Sequence, residues 1–129
     1  MNGTMARYSR SVLLVDDNPA DRALFTRELQ RAGFDVLATG SAEDAMSVIV
    51  GGGVGCLVTD EVMAVTGQEL AAIATGVRGD LCIVFISGAS EPRPSLPPGA
   101  IFISKDEKAR IVQAVADCMM PWRIAAREE

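Results

Sequence analysis

The chain has 129 residues, of which 49% are hydrophobic, so it is long enough to form one domain of ordinary size with its own core. Its formal net charge is -5, and no basic stripe is present that could neutralise nucleic-acid phosphates. The charge therefore argues against nucleic-acid binding and favours protein or small-molecule partners. The absence of histidine excludes His-based catalysis and His metal sites.

Membrane insertion and disulfides are not expected from the sequence. The first apolar run, residues 12–15, is too short for a signal sequence or a membrane span. The cysteines, Cys56, Cys82 and Cys118, are odd in number and widely spaced, and each lies in an apolar context. We therefore expect buried free thiols, which suit a reducing cytoplasm.

Short apolar runs alternate with helical patterns in the first half of the chain. Residues 12–15 are typical of a strand covered on both faces, and the run ends in Asp16 and Asp17. A helix is predicted next, capped by Asp17 or Asn18, with Pro19 in its first turn and Gly33 at its end. A second strand is predicted over residues 34–38, and a second helix runs from residues 41–44 to the glycines at 51–53. The apolar positions of the two helices are Phe25, Leu29 and Ala32, then Ala45, Met46, Ile49 and Val50.

The same alternation continues in the second half. Residues 56–59 predict a third strand, which ends in Asp60, and a third helix begins at Thr66 or Gly67. Residues 81–86, the most apolar run, predict a central strand, and residues 101–103 predict a fifth. Asp106 can cap a last helix. The apolar positions of these helices are Leu70, Ile73, Ala74 and Val77, then Ile111, Val112, Val115, Ala116 and Met119.

Strands that alternate with helices predict an α/β fold, with a parallel sheet covered on both faces. Ligands of such sheets bind at the carboxyl ends of the strands, where the strand order reverses. Five polar residues end or follow strands and should therefore converge on one edge. They are Asp16, Asp17, Asp60, Ser87 and Lys105.

These residues predict a magnesium-dependent phosphoryl-transfer site. Three carboxylates and one ammonium leave a net charge of about -2 in a partly dry crevice, and a bound cation would offset it. Oxygen ligands without Cys or His favour a hard ion such as Mg²⁺. Asp60 would then act as a nucleophile that forms an acyl phosphate, while Lys105 offsets charge on the phosphoryl oxygens and Ser87 donates a hydrogen bond to them.

The residues Val15-Asp16-Asp17, Asp60, Ser87-Gly88-Ala89, Phe102 and Lys105, in this order, resemble the receiver domain of two-component response regulators over roughly residues 11–119. The resemblance implies a flavodoxin-like, doubly wound five-stranded sheet of order 2-1-3-4-5. It also implies a phosphorelay switch, with at most self-phosphorylation and self-dephosphorylation activity, whose Asp60 accepts phosphate from a histidine kinase or a histidine phosphotransfer protein. Mg²⁺ would be held by Asp16, Asp17, Asp60 and the backbone carbonyl of Val62. Ser87 and Phe102 would form the switch pair, and Lys105 would bind a phosphoryl oxygen.

Three features depart from the family pattern. Ala64 stands where the loop after the acceptor usually has proline, and Gly67 comes one residue early. Lys105 is followed by Asp106 rather than proline, so we expect a trans peptide bond there. Residues 91–99 contain four prolines, which predict a loop in place of the usual helix between strands four and five. Such proline-rich connections resemble those of receivers that work with hybrid sensor kinases.

Other readings stay open at this point. Taken singly, the site residues have plainer roles: a helix cap for Asp16 and Asp17, and turn, solvent and core positions for Ser87, Lys105 and Phe102. The chain could also be a degenerate receiver that serves only as an interaction module, or a Mg²⁺-dependent phosphatase, which would need an acid at Val62.

We expect one receiver domain over residues 1–129, with a core at 11–119 and tails at 1–10 and 120–129. We expect no output domain within residues 106–129, so the receiver is expected to be either stand-alone or cut from a longer chain, and its downstream target is unknown.

Overall fold

The computed structural model describes residues 11–60, 67–77, 81–88 and 100–119, which form five strands and four helices. The strands are β1 (Ser11–Val15), β2 (Asp35–Thr39), β3 (Cys56–Asp60), β4 (Cys82–Ser87) and β5 (Ile101–Ser104). The helices are α1 (Pro19–Arg31), α2 (Ala42–Gly51), α3 (Gly67–Val77) and α4 (Lys108–Cys118). The predicted loop at 91–99 and the segment 61–66, which contains Val62 and Ala64, lie outside the described residues. Within the described ranges, no helix has the length and apolar content to cross a membrane.

All five strands pair in parallel, in the order β2-β1-β3-β4-β5. β1 lies between β2 and β3, where Leu13 pairs with Leu37 on one side and with Leu57 on the other. The strand order reverses between β1 and β3, which is where a doubly wound sheet forms its ligand crevice. The predicted fold class is therefore confirmed, including the strand order 2-1-3-4-5.

The sheet separates two hydrophobic cores, because successive residues of a strand point to opposite faces. The core beneath α1 and α4 includes Val12, Leu14, Val58 and Ile86 from the strands and Phe25, Leu29, Ile111 and Val115 from the helices. The core beneath α2 and α3 includes Leu13, Val15, Leu57 and Phe85 from the strands and Ala45, Ile49, Leu70 and Ala74 from the helices. Since both faces of β1, β3 and β4 are covered, these strands appear in the sequence as nearly continuous apolar runs, whereas β2 lies at the edge and is largely exposed.

Side-chain caps fix the starts of α1 and α2. Asn18 Oδ1 accepts a hydrogen bond from the N–H of Asp21 at 3.0 Å, and Pro19 occupies the start of α1, as predicted. Ser41 Oγ accepts a hydrogen bond from the N–H of Asp44 at 3.2 Å at the start of α2. Each of these two acids therefore lies three residues after its cap, in the first turn of its helix.

Three local predictions were wrong. Ala32 is exposed at the cap of α1, outside its apolar stripe. Val50 is 67% exposed, because it lies about 100° further round α2 than the buried Ile49. The residue at the cap position of α4 is Glu107 rather than Asp106, and it makes no side-chain capping hydrogen bond.

The cysteines correct the expectation of three free thiols. Cys82, at the start of β4, and Cys118, at the end of α4, form a disulfide with their Cα atoms 5.9 Å apart. Packing of α4 on β4 brings these residues together although they are 36 positions apart in sequence. Cys56 is free and buried in β3, and burial raises the pKa of its thiol to about 12. The argument from free thiols to a reducing cytoplasm therefore loses its basis, since disulfides persist mainly in oxidising compartments.

Candidate functional site

Four of the predicted site residues lie at one edge of the sheet. Asp16 follows β1, Asp60 ends β3, Ser87 ends β4 and Lys105 follows β5. The ends of β4 and β5 are held in register, since the N–H of Lys105 donates a hydrogen bond to the carbonyl of Ser87 at 2.8 Å. The structure thus brings these residues to the carboxyl edge of the sheet, while their chemical roles stay predictions.

The Lys105 ammonium contacts three carboxylates. Its Nζ lies 2.9 Å from Oδ2 of Asp16, 2.9 Å from Oδ2 of Asp21 and 3.2 Å from Oδ2 of Asp60. It donates hydrogen bonds to Asp21 and Asp60. Its contact with Asp16 is an ion pair without hydrogen-bond alignment. The peptide bond that follows Lys105 is trans, as predicted for a chain with Asp106 in place of proline.

Burial and charge act on Lys105 in opposite directions. The side chain is only 15% exposed, and this burial by itself lowers the pKa of Lys105. The hydrogen bond with Asp21, the close contact with Asp16 and the charges of Asp16 and Asp60 act against burial and outweigh it, so the pKa of Lys105 is raised above its ordinary value. The ammonium therefore stays charged across the neutral pH range and can offset negative charge on a nearby oxygen.

The buried carboxylate of Asp16 is oriented by its surroundings. Its Oδ1 accepts a hydrogen bond from the N–H of Asn18 at 3.0 Å. On the main chain, the N–H of Asp16 donates to the carbonyl of Thr39 at 3.0 Å, and its carbonyl accepts from Nη1 of Arg22 at 2.8 Å. Gly40 leaves room for this guanidinium, since a Cβ at that position would lie 2.6 Å from Arg22 Nη1. The orientation of Asp16 is therefore set by the strand end and α1 together.

Three carboxylates at this edge fit a single cation. Asp16, Asp17 and Asp60 each offer an oxygen, and these atoms lie within 4.8 Å of one another. Asp17 is exposed whereas the other two are buried, so the cluster is open to solvent on one side. Oxygen ligands with room for water suit Mg²⁺. Oδ2 of Asp16 is a buried atom that makes no hydrogen bond with the described residues, and a bound cation would satisfy it. Val62, predicted to supply a fourth ligand, lies outside the described residues.

Ser87 and Phe102, the predicted switch pair, lie on neighbouring strands. Ser87 is buried, and Phe102 is half-buried against the core beneath α2 and α3. Phe85 pairs with Phe102, and Ser87 pairs with Ser104, two positions further along each strand. Ser87 and Phe102 therefore point to the same face of the sheet. Their coupled motion stays a prediction.

Two residues of this site, Asp21 and Arg22, were not predicted from the sequence. Strand-end reasoning finds residues that end or follow strands, and these two lie in the first turn of α1. An acid in the first turn is also favoured by the helix dipole, so Asp21 gives no separate signal of a contact with Lys105. The usable signal is topological, since a helix that starts directly after a strand places its first turn over the end of that strand.

Comparison with known proteins identifies the fold through structure. No protein-family model matches the sequence, and no curated protein matches it. A response regulator receiver protein from Sinorhizobium medicae has a TM-score of 0.73 and 26% identity, covering 88% of this chain and 97% of that chain. The response regulator protein TrrA from Thermotoga maritima, in complex with Mg²⁺ and BeF, has a TM-score of 0.69 and 25% identity over 81% of this chain and 97% of that one. The receiver domain of the hybrid histidine kinase CckA has a TM-score of 0.66 and 26% identity over 81% of this chain and 98% of that one.

These similarities confirm the resemblance that the sequence motifs predicted. The matched structures are response regulators or receiver domains, and each covers 81% of this chain or more. The chain therefore has the fold of response regulator receiver domains and is similar to them in sequence. Receiver domains are in general signalling domains rather than enzymes.

Proposed function

We propose that this chain is a phosphorylation-dependent switch of a two-component system, in which Asp60 accepts a phosphoryl group from a histidine kinase or a histidine phosphotransfer protein, with Mg²⁺ beside it. The observation that carries the proposal is the placement of Asp60. It ends the buried strand β3, contacts the Lys105 ammonium at 3.2 Å, and has an oxygen within 4.8 Å of oxygens of Asp16 and Asp17. Such an excess of carboxylates around one ammonium is costly unless a cation offsets the negative charge, as Mg²⁺ does in phosphoryl-transfer sites.

The proposed reaction is a nucleophilic displacement at phosphorus. A carboxylate oxygen of Asp60 forms a bond to phosphorus as the bond to the leaving group breaks, and the leaving group keeps the bonding electrons. Lys105 already contacts Asp60 Oδ2 and is therefore placed to offset charge on a phosphoryl oxygen. A magnesium ion held by Asp16, Asp17 and Asp60 would supply further positive charge at the transferring oxygens. The product is an acyl phosphate, which water hydrolyses back to the carboxylate.

The proposed switch begins at the neighbouring strand end. Phosphorylation replaces one carboxylate charge with a group of about -2 that carries three acceptor oxygens. Ser87 ends the strand next to β3, and we assign its hydroxyl the role of donor to the new group. Phe102 lies on the same face of the next strand, so its ring can follow into the space that Ser87 leaves. The state of Asp60 would thereby change the surface near β5.

The similar proteins support the choice of partner and metal. CckA is a hybrid histidine kinase, and the TrrA structure is a complex that contains Mg²⁺. We propose the same class of partner and the same ion for this chain by analogy. The single-domain organisation with a core at residues 11–119 stays a prediction from the sequence. A cytoplasmic location also stays a prediction, but the disulfide between Cys82 and Cys118 removes the argument from free thiols.

Intact mass spectrometry tests the proposal. Protein incubated with MgCl₂ and acetyl phosphate should gain the mass of one phosphoryl group, and removal of Mg²⁺ should prevent the gain. Asp60→Asn should gain no mass, whereas Asp44→Asn, which removes a charge from the first turn of α2, should gain mass as the wild type does. Folded wild-type protein that gains no mass, or an equal gain in Asp60→Asn, would contradict the proposal. The first of these results would favour the interaction-module reading.

A further inference from the structure

Asp21 belongs to the site but has no role in the reaction proposed above. Its Oδ2 accepts a hydrogen bond from Lys105 Nζ at 2.9 Å, which is shorter than the 3.2 Å bond from Lys105 to Asp60. The side chain of Asp21 is 34% exposed, compared with 9% for Asp60. Lys105 is therefore shared between the carboxylate that would be phosphorylated and a second carboxylate nearer to solvent.

The position of Asp21 is fixed by the first turn of α1. The N–H of Asp21 donates to the Asn18 cap at 3.0 Å. The next residue, Arg22, donates to the carbonyl of Asp16 at 2.8 Å and so ties this turn to the end of β1. The contact of Asp21 with Lys105 then joins two parts of the chain that are 84 positions apart. The main chain is hydrogen-bonded at both ends of this contact, since the N–H of Lys105 donates to the carbonyl of Ser87.

Asp21 also adds negative charge close to the reacting oxygen atoms. Oδ2 of Asp21 and Oδ2 of Asp60 contact the same nitrogen at 2.9 and 3.2 Å, so they cannot lie more than about 6 Å apart. A donor that delivers a phosphoryl group to Asp60 must approach within a similar distance of Asp21. Two unit charges about 6 Å apart interact, even at the dielectric constant of water, strongly enough to change a rate about threefold. The repulsion increases with each negative charge that the donor carries.

We infer that Asp21 is a positioning residue that holds the Lys105 ammonium on the solvent-facing side of Asp60. Through its own charge, Asp21 also disfavours phosphodonors that carry more negative charge. The selectivity rests on the proposed function of Asp60, whereas the positioning rests on the contact alone. When Asp21 is neutralised, Lys105 contacts Asp60 and the phosphoryl group without competition from Asp21. The substitution also lowers the activation barrier of phosphoryl transfer more for a dianionic donor than for a monoanionic one.

Two small donors of different charge test the selectivity. Acetyl phosphate is mainly a dianion at neutral pH and phosphoramidate is mainly a monoanion, and both rates are measured at saturating Mg²⁺ by intact mass. For Asp21→Asn we expect the ratio of the acetyl phosphate rate to the phosphoramidate rate to rise about threefold above wild type. A general loss of structure would slow both reactions and leave this ratio unchanged.

Asp44→Asn is the matched control for this measurement. Asp44 holds the same position in α2 that Asp21 holds in α1, with its N–H bonded to the cap Ser41, and it is not among the carboxylates that contact Lys105. We expect the ratio in Asp44→Asn to equal that of the wild type. An unchanged ratio in Asp21→Asn, or an equal rise in Asp44→Asn, would overturn the inferred selectivity.

A double-mutant cycle with Lys105→Met tests the positioning without any phosphorylation. Urea denaturation in the absence of Mg²⁺ gives the unfolding equilibrium constant of each variant. When Lys105 is present, Asp21→Asn should raise the unfolding equilibrium constant. The factor of this rise should be at least about three times the factor that the same substitution gives in Lys105→Met, where the remaining carboxylates only repel one another. Absence of coupling would overturn the positioning role. Wild-type protein that accepts phosphate from neither donor would overturn the proposed function of Asp60 and the selectivity, and the cycle would still decide the positioning.

Discussion

Replacement of Lys105 by methionine removes the positive charge that three carboxylates share. Asp16 is fully buried and the Asp60 side chain is 9% exposed, so both would be left as poorly solvated charges. Loss of one partner from a buried ion pair costs about 3–5 kcal/mol. Asp21 is 34% exposed and keeps part of its solvation, which argues for the lower end of this range. We therefore expect Lys105→Met to lower the free energy of unfolding by about 3 kcal/mol in the absence of Mg²⁺.

Magnesium should reduce this loss, because it would neutralise the same carboxylates. A ligand that binds only the folded state stabilises it by about 2.7 kcal/mol at 100 times its dissociation constant. Lys105→Met should bind Mg²⁺ more tightly than the wild type, since the ammonium no longer competes for Asp16 and Asp60. The difference in stability between the two proteins should therefore narrow by about 1 kcal/mol or more in saturating MgCl₂.

Urea denaturation at low salt, with EDTA or with MgCl₂, measures both effects. Lys108→Met is the control, because it removes an exposed lysine from the start of α4. Its stability should stay within about 0.5 kcal/mol of the wild type in both buffers. The reasoning would be refuted by a loss below about 1 kcal/mol in Lys105→Met, or by a difference from wild type that Mg²⁺ leaves unchanged.

Two further predictions concern the cysteines. Reduction of the disulfide between Cys82 and Cys118, which closes a loop over a sequence separation of 36, should lower the free energy of unfolding by about 3–4 kcal/mol. Urea denaturation with and without reductant measures this loss of stability. Alkylation of more than one cysteine in unfolded, unreduced protein would show that the disulfide is absent. Burial raises the pKa of the Cys56 thiol from 9.0 to about 12, so the unfolded chain loses this proton at a lower pH than the folded protein does. Between these two pH values the free energy of unfolding should therefore fall as the pH rises, by about 1.4 kcal/mol per pH unit. Urea denaturation across the alkaline range should show a smaller slope in Cys56→Ala, and equal slopes would contradict the burial effect.

The strands and their ends could be predicted from the sequence. Apolar runs that stop at a polar residue gave β1, β3, β4 and β5 to within one residue, as with β3, where the run 56–59 is followed by Asp60. The topology of a parallel sheet then brings successive strand ends to one edge. Asp16, Asp60 and Lys105 were placed together by that rule, although they come from three different strands.

The contacts that the sequence did not reveal depend on how helices lie over the sheet. Asp21 reaches Lys105 because the first turn of α1 covers the strand ends, and the sequence shows only an acid near a helix cap. Cys82 and Cys118 meet because α4 packs on β4, whereas the apolar context that suggested free thiols is the same for Cys56. Strand-end patterns are local, but these pairings are set by tertiary packing over many residues.

Chemical identification of the phosphorylated residue tests the role of Asp60 most directly. Borohydride reduces an acyl phosphate to an alcohol, so a phosphorylated aspartate becomes homoserine, which peptide mass spectrometry can locate. After incubation with MgCl₂ and acetyl phosphate, we predict homoserine at position 60, and none when the donor is left out. Homoserine at another carboxylate such as Asp16, or added phosphate mass without homoserine at position 60, would contradict the assignment of Asp60 as the phosphoacceptor.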